Sequence, residues 1–319
     1  KTRVDPPARV MSRELKKVGV AAFLPTTMSA SPEDTVKALA GVKAVMERPE
    51  PDGAIVLGAH MEAPFLAEAK AGAQLKQYFA DPNEENWQRY TCGLESVVRL
   101  ITMAPERAGA LAFISALTKK GITVSVGHTT ADAETTHAAA EAGATHVTHT
   151  FNAQTPLNHR APGVPGAALA DDRYSVQMIC DLVHLHRLAI RGHFRRHPPA
   201  PGHCKAHHSD EGQGKAGGYH RRHGGRRNAR RSVSAGRSGG LCPRRRGPSE
   251  GRHAGGQHSD HDPFQNLIRF GATPEEAALM TTKTPALSIG NEELGEIELG
   301  APAIFSRFDE NYAFKGTVG

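Results

Sequence analysis

The chain has 319 residues, enough for one large α/β barrel or for two domains of ordinary size. Its formal net charge is +6, but residues 191–262 hold 16 of the 39 Lys and Arg residues and only 5 of the 33 Asp and Glu residues. The basic balance therefore belongs to that segment, which excludes a polyanion-binding surface spread over the whole protein.

Predicted strands and helices alternate along the rest of the chain. Residues 18–27 predict a buried strand, and Ser31 followed by Pro32 predicts the start of a helix, with Ser at the N-cap and Pro at the first helical position. Further strands are predicted at 54–59, 97–106, 122–127 and 145–150. Helices are predicted at 108–120, at 130–142 and, after residue 262, from Thr273 onwards. So many βα units favour an α/β fold with a parallel sheet closed into a (β/α)8 TIM barrel.

Four of the apolar segments end in residue types that bind metals: 54–62 (AIVLGAHME), 122–128 (ITVSVGH), 145–153 (THVTHTFNA) and 175–186 (SVQMICDLVHLH). Catalytic groups of such barrels lie at the carboxyl ends of the strands, so we expect these residues to converge. Taken singly, Glu62 fits a surface acid, and His128 or His149 fits a buried core histidine. Together, two imidazoles and a carboxylate leave an open coordination position, as in catalytic metal sites. The pattern predicts a metal-dependent hydrolase, because such an ion polarises a carbonyl and acidifies a water molecule.

The motifs GHTT, AGATHVTHTFNAQ and HRAPG follow one another within residues 127–163. They resemble the GHS/T, AGATH-x-TH-x-FNAM and H/GREPG elements of the N-acetylglucosamine-6-phosphate deacetylases, a family of the amidohydrolase superfamily. GAHMEAPF (58–65) is similar to the HLEGPF element of that family, and CDLVHLH (180–186) to its DGxHxH element. The resemblance covers about 1–190 and 263–319. It implies deacetylation of N-acetylglucosamine 6-phosphate to glucosamine 6-phosphate and acetate, a step of amino-sugar catabolism.

The resemblance also implies roles for individual residues. One divalent ion, zinc or iron, would be held by Glu62, His128 and His149. The phosphorylated sugar would be bound by Asn152, Ala153, Arg160 and His184. Arginine suits a phosphate group because its planar guanidinium gives bidentate, charge-assisted hydrogen bonds. Gln74 stands where many members of the family have a histidine that helps to bind substrate, so it belongs to the expected substrate site.

The same resemblance predicts the domain organisation. Residues 1–290 would form an incomplete barrel of the amidohydrolase type, and residues 291–319 would be the remnant of a small β-sandwich. No histidine precedes His60, so we expect an N-terminally truncated chain in which the family's opening strands and their HxH element are missing. Barrels with this kind of site often pair, which leaves a homodimer open as the assembly.

Residues 191–262 do not fit this pattern. They contain only Val233 and Leu241 from the group Val, Ile, Leu and Met, too little apolar surface to offset the entropy of ordering, so we expect disorder in the segment as written. Read one base later, the degenerate codons of residues 252–261 permit the family's GTLAGSTLTM element, which indicates a frame-shifted segment. The family needs an aspartate here as general acid and base, and the literal candidate is Asp210.

Other interpretations stay open. The segment could be an Arg/Gly-rich arm for nucleic acid or a His-rich metal tract. Phe194 and Tyr219 are its only Phe, Tyr or Trp residues for stacking on bases, so we expect no nucleic-acid partner. The spacing of its histidines and cysteines matches no standard metal site, which argues against the metal tract. The chain could also act on another N-acyl sugar or a cyclic amide, or it could be an inactive product of truncation and frame damage.

The spacing of the cysteines and the short apolar runs indicate the cell compartment. Four widely spaced cysteines without a CxxC pair predict free thiols in a reducing environment. No apolar run approaches the length of a membrane span, and the first residues do not resemble a targeting peptide. We therefore expect a cytoplasmic protein with a small phosphosugar substrate and no membrane partner.

Overall fold

A computed structural model describes residues 5–180, 184–185, 233–234 and 263–318 of the chain. Its helices are α1 (Pro7–Lys17), α2 (Pro32–Glu47), α3 (Glu84–Thr91), α4 (Ala110–Lys119), α5 (Ala133–Glu141), α6 (Gly163–Ala170), α7 (Pro263–Arg269), α8 (Pro274–Thr281) and α9 (Lys283–Ser288). Its strands are β1 (Ala22–Phe23), β2 (Thr26–Thr27), β3 (Ile55–Val56), β4 (Ala59–Met61), β5 (Val98–Met103), β6 (Thr123–Val126), β7 (His146–Val147), β8 (Ser175–Gln177), β9 (Val233–Ser234), β10 (Phe305–Phe308) and β11 (Phe314–Val318).

In the described ranges, the main sheet has seven strands in the order β2-β4-β5-β6-β7-β8-β9. Every neighbouring pair in it is parallel, and helices connect most of the successive strands. All the carboxyl ends of these strands therefore lie at one edge of the sheet. The prediction of an α/β fold with an incomplete barrel is confirmed.

Two predicted strands are each divided in the structure. The strand expected at 18–27 is β1 and β2, and β1 pairs with β3 in a separate two-stranded parallel sheet. Pro25 lies in the gap, and proline cannot donate a ladder hydrogen bond. The strand expected at 54–59 breaks at Gly58, whose φ is 145°. A Cβ at Gly58 would lie 2.3 Å from Cγ of Arg99, so only glycine fits there.

The helix ends follow the sequence signals where these are strong. Ser31 caps α2 by accepting a 3.1 Å hydrogen bond from the backbone N–H of Asp34, as predicted. Helices α1 and α3 are not predicted by the sequence pattern. Asn83 caps α3 through Asn86 N at 2.9 Å, and Trp87 forms its buried face. A helix of eight residues gives too few turns for a clear 3.6-residue apolar period.

A layer of polar side chains lies buried among the barrel strands. His60 Nε2 is 2.8 Å from the hydroxyl of Thr102, which is 2.8 Å from the hydroxyl of Thr148. The Thr148 hydroxyl is also 2.5 Å from that of Ser125. Burial lowers the pKa of His60 to about 4, so the ring is neutral at physiological pH. These groups satisfy one another and leave the carboxyl ends of the strands free for other side chains.

The C-terminal strands β10 and β11 form an antiparallel hairpin that contacts the barrel at two places. The Ser306 hydroxyl donates a 2.9 Å hydrogen bond to the Gly19 carbonyl, just after α1. Phe264 of α7 stacks on Phe308 with ring centroids 4.4 Å apart. The assignment of this hairpin to a β-sandwich remnant, and the boundary at residue 290, stay predictions.

Of the segment 191–262, the structure describes only β9, which pairs with β8. The predictions of disorder and of a shifted reading frame, and the candidate Asp210, fall outside the described residues. Within the described ranges, no helix is both long enough and apolar enough to cross a membrane.

Asp171 should make the stability of the protein depend on pH. Hydrogen bonds from Arg173, and further ones that include His137, hold the pKa of Asp171 well below its usual range. A carboxyl with a depressed pKa stabilises the fold above its unfolded pKa of about 4, and this contribution is lost as the pH falls through the folded pKa. We expect Asp171→Asn to lower the unfolding free energy by about 1 kcal/mol at pH 7 and by less at pH 3.

Urea unfolding of the wild type and of Asp171→Asn at the two pH values measures this difference. Asp52→Asn changes an exposed turn residue and is the matched control, with no expected effect. A destabilisation that is equal at both pH values would contradict the assigned role of the Asp171 charge.

Candidate metal centre

Three side chains meet where β4, β6 and β7 end. Glu62 directly follows β4, while His128 and His149 each lie two residues after β6 and β7. His128 Nε2 is 2.8 Å from Oε1 of Glu62, and His149 Nε2 is 3.5 Å from the same oxygen. The two Nε2 atoms are 3.1 Å apart. The structure thus brings together the three residues that the sequence predicted as metal ligands, with their ligand atoms within 4.8 Å of one another.

Backbone carbonyls determine which nitrogen of each ring faces the cluster. His128 Nδ1 lies 2.7 Å from the carbonyl oxygen of Lys70, and His149 Nδ1 lies 3.1 Å from that of Asn152. A carbonyl oxygen only accepts, so both Nδ1 atoms must carry the hydrogen. In the neutral rings both Nε2 atoms then present lone pairs to each other and to the Glu62 carboxylate. Three acceptors at these distances repel one another unless a cation lies between them.

The charge state of Glu62 supports the same conclusion. Burial alone would raise the pKa of Glu62, but hydrogen bonds from His128 and His149, which require a proton on each Nε2 atom, outweigh it, and the net shift is downward. The side chain is therefore a carboxylate at neutral pH. The compensating positive charge is either protons on the Nε2 atoms or a metal ion. A carboxylate and two imidazoles, mostly buried, fit a divalent ion of the zinc or iron type.

The backbone of this region adopts an uncommon conformation. Four non-glycine residues have φ in the left-handed region, namely His128 (46°), His149 (33°), Phe151 (79°) and Ala153 (50°). Each such residue costs on the order of 1–3 kcal/mol and persists only where its surroundings fix it. Thr129 N donates to the Ala153 carbonyl at 3.2 Å, and the Gln154 amide donates to the Thr148 carbonyl at 2.7 Å. These contacts join the two histidine loops to each other and to β7.

Asn152 presents a buried donor without an acceptor in the described part of the chain. Its Nδ2 atom is buried and makes no hydrogen bond to any of the described residues. A buried amide that lacks a partner costs about 1–3 kcal/mol, so a ligand oxygen at this point would be favourable. Asn152 N donates to the carbonyl of His149 at 2.9 Å, so Asn152 belongs to the same tight loop as that candidate ligand.

The other predicted substrate residues differ in placement. Ala153 lies in the loop after His149, whereas Arg160 and His184 are exposed. Gln74 is buried and donates to Glu62 Oε1 at 3.1 Å. Their contacts with a substrate stay predictions, and Asp210 lies outside the described part of the chain.

Glu106 is a structural residue of the site that the sequence analysis missed. It follows β5 in the loop before α4, and its Oε1 accepts hydrogen bonds from Thr130 N at 2.6 Å and from the Thr130 hydroxyl at 2.9 Å. The Thr129 hydroxyl also donates to its Oε2. Glu106 therefore holds the two residues that follow His128. The signal was present, because Glu106 is an acid just beyond an apolar strand, as Glu62 is.

Comparison with known proteins identifies the family. No family model matches the chain. The N-acetylglucosamine-6-phosphate deacetylase of Vibrio furnissii is 32% identical over 313 residues, which are 96% of this chain and 74% of that protein. The chain belongs to the N-acetylglucosamine-6-phosphate deacetylase family. The deacetylases of Bacillus subtilis and Homo sapiens are 35% and 36% identical over 184 and 199 residues. The chain spans about half the length of these two relatives, namely 46% and 47%.

Solved structures of deacetylases share the fold. An aspartate-to-alanine variant of the Mycobacterium smegmatis deacetylase, in complex with N-acetyl-D-glucosamine-6-phosphate, matches with a TM-score of 0.70 and 26% identity. That match covers 95% of this chain and 76% of the other. The deacetylase of Thermotoga maritima matches with a TM-score of 0.74 and 23% identity, over 97% of this chain and 80% of the other. Because its identity is only 23%, the match to the Thermotoga maritima structure shows the shared barrel fold alone.

Proposed function

We propose that the chain is a metal-dependent deacetylase that converts N-acetylglucosamine 6-phosphate to glucosamine 6-phosphate and acetate. The observation that carries this proposal is the convergence of three lone-pair donors, Glu62, His128 and His149, at the carboxyl ends of parallel strands. Membership of the deacetylase family and the sugar phosphate bound to the Mycobacterium smegmatis relative support the choice of substrate.

In this proposal, Glu62, His128 and His149 hold one divalent ion, zinc or iron. When bound, such an ion polarises the acetyl carbonyl and lowers the pKa of a water molecule. The carbonyls of Lys70 and Asn152 keep each Nε2 atom directed towards the ion by binding Nδ1–H. The ligand residues are mostly buried, so bulk water has little access to the reacting carbonyl.

The substrate would contact the residues around this ion. The Nδ2–H groups of Asn152, which have no acceptor among the described residues, would donate to an oxygen of the sugar phosphate, and the guanidinium of Arg160 would bind the phosphate group. Ala153 and His184 complete the proposed substrate set, while Gln74, which the sequence predicted as a further member, contacts Glu62. Asp210 is the proposed general acid and base, which would take a proton from water and deliver it to the leaving amine.

We also propose the cellular setting that the sequence indicated. The enzyme would act in the cytoplasm on a small phosphosugar, without a nucleic-acid or membrane partner, and two copies would pair. Size measurement by light scattering tests the pairing directly.

Acetate release from N-acetylglucosamine 6-phosphate tests the function. We expect release after loading with Zn²⁺ or Fe²⁺, and none after chelation.

Arg160→Gln should raise the KM for the phosphorylated substrate about 10–100-fold and leave turnover of N-acetylglucosamine unchanged, because only the phosphate loses a charge-assisted bond. Arg99→Gln is the control, since Arg99 lies on β5 and donates to the Leu57 carbonyl.

The outcomes separate the alternatives. Equal activity on the phosphorylated and unphosphorylated sugars would favour another amidohydrolase. A folded, metal-loaded protein that releases no acetate would support the inactive alternative.

A further inference from the structure

The loop between β4 and α3 contacts two of the candidate ligands. Its Lys70 carbonyl accepts from His128 Nδ1, and its Gln74 side chain reaches Glu62. We propose that Gln74 is a positioning residue that fixes the Glu62 carboxylate in its metal-binding orientation. This inference rests on the proposed function, because it concerns the metal that the same site would hold.

The contacts of Gln74 determine the orientation of its amide group. Ser29 N lies 2.7 Å from one end of the amide, and a backbone N–H only donates, so that end must be Oε1. The NH2 group then faces Glu62, where Nε2 is 3.1 Å from Oε1 of the carboxylate. A carboxylate only accepts, so both contacts require the same orientation of the amide. A flipped amide would lose both hydrogen bonds.

Ser29 provides a fixed support for Gln74. It is buried, and its hydroxyl accepts a 2.5 Å hydrogen bond from Leu75 N. Ser29 thus donates a hydrogen bond to Gln74 and accepts one from Leu75, and these two bonds link the segment after β2 to the loop after β4. Gln74 N also donates to the Ala71 carbonyl at 2.9 Å. The Gln74 side chain is 7% exposed and cannot turn towards a substrate without leaving the Ser29 N–H unpaired.

The effect of Gln74 on the metal follows from its contact with Glu62. A carboxylate can rotate about its terminal bond, and a hydrogen bond to one oxygen restricts that rotation. Gln74 binds the same Oε1 atom that lies 2.8 Å from His128 Nε2 and 3.5 Å from His149 Nε2, so it restrains this oxygen beside both nitrogens. Loss of a hydrogen bond that orients a metal ligand costs about 10–100-fold in metal affinity. A residue that only contacts substrate would change KM and leave metal affinity unaltered.

Metal titration of two full-length variants tests the proposal. Gln74→Ala removes the amide, and Gln74→Met removes it while keeping the side-chain volume, so Met separates lost hydrogen bonds from a cavity. The control is Gln88→Ala, which removes a glutamine of α3 whose amide donates to Glu84. Each metal-free protein is titrated with Co²⁺ and followed by the Co²⁺ d–d absorption, and Zn²⁺ affinity is measured against a chelator. Circular dichroism verifies that each variant is folded.

We expect both Gln74 variants to bind Zn²⁺ about 10–100-fold more weakly and to show an altered Co²⁺ spectrum, while Gln88→Ala matches the wild type. Wild-type affinity and spectrum in a folded Gln74→Met protein would overturn the inference, and a raised KM in that variant would instead assign Gln74 to the substrate. A wild type that binds no ion would contradict the proposed function, and this inference with it.

Discussion

Glu62→Gln should eliminate detectable acetate release and weaken Zn²⁺ binding by at least about 100-fold. This lower limit on the loss of affinity follows from residues that only orient a metal ligand, because their loss alone costs about 10–100-fold in metal affinity. Removal of the charged ligand itself should cost more, because the carboxylate supplies the only negative charge of the three-residue cluster.

The same substitution should also affect the metal-free protein. In the wild type, the Glu62 carboxylate faces the Nε2 atoms of His128 and His149 at 2.8 and 3.5 Å. When no ion is bound, protons on these nitrogens supply the positive charge, and the hydrogen bonds that lower the pKa of Glu62 stabilise the fold. Glu62→Gln removes the negative charge, so we expect the metal-free variant to melt at the wild-type temperature or below it.

Thermal unfolding with and without Zn²⁺ measures both effects. An ion that binds only the folded state stabilises it by about 2.7 kcal/mol at a concentration 100 times Kd. The wild type should therefore melt at a higher temperature when Zn²⁺ is added, and Glu62→Gln should not. Glu68→Gln, an exposed acid of the same loop, should behave as the wild type. An equal Zn²⁺-dependent shift in Glu62→Gln would remove Glu62 from the metal site.

The three-residue cluster could be predicted because it depends on a rule of topology. Glu62, His128 and His149 all follow apolar segments, and the carboxyl ends of parallel strands meet at one edge of a sheet. Neither the length of the strands nor their exact limits matters for that argument. Strand β7 has only two residues instead of the six expected, and His149 still reaches the cluster.

The supporting contacts could not be predicted in the same way. The Lys70 carbonyl that binds His128 belongs to the backbone, so no side-chain pattern indicates it. Ser29 and Gln74 are 45 positions apart and meet only because β2 and β4 are neighbours in the sheet. Glu106 had the same local signal as Glu62, but only the three-dimensional structure shows that its oxygens bind the threonines after His128.

His146 shows why a single histidine carries little information. It lies three residues before His149 in a segment that contains both, but its ring is buried and its pKa is lowered to about 4 by burial. It therefore behaves as a neutral histidine of the barrel interior. Because side chains alternate along a strand, residues three apart at a strand end face different surroundings.

Gly127→Ala should reduce kcat/KM about 100-fold and lower the unfolding free energy by about 1–3 kcal/mol. Gly127 lies between β6 and His128, and its backbone N–H donates to the Met103 carbonyl at 3.2 Å. A Cβ here would lie 2.8 Å from Cγ2 of Thr102 and 2.8 Å from Cβ of Thr148. Real Cβ atoms do not approach other carbons so closely, so the backbone that carries His128 must shift.

The two threonines cannot move aside at low cost. Their hydroxyls bind each other at 2.8 Å, and that of Thr102 also binds the buried His60 ring at 2.8 Å. Threonine is stiff at χ1, so rotating the Thr102 methyl group away would break these buried hydrogen bonds, and no side-chain rotation moves Cβ of Thr148. We therefore expect the strain to be released through His128, and a displacement of about 1 Å in a reacting group costs on the order of 100-fold in rate.

Two further variants make the steric cause testable by urea unfolding and acetate release. Gly41→Ala lies inside α2, where the nearest atom to a new Cβ is 3.6 Å away, so it should gain about 0.5–1 kcal/mol and keep full activity. Thr102→Ser removes the Cγ2 methyl group but keeps the hydroxyl, so in the Gly127→Ala background it should restore part of the lost stability and activity. If Thr102→Ser restores neither, the clash with Thr102 is not the cause. The equally close contact with Cβ of Thr148, which Thr102→Ser leaves in place, would then be the cause of the shift.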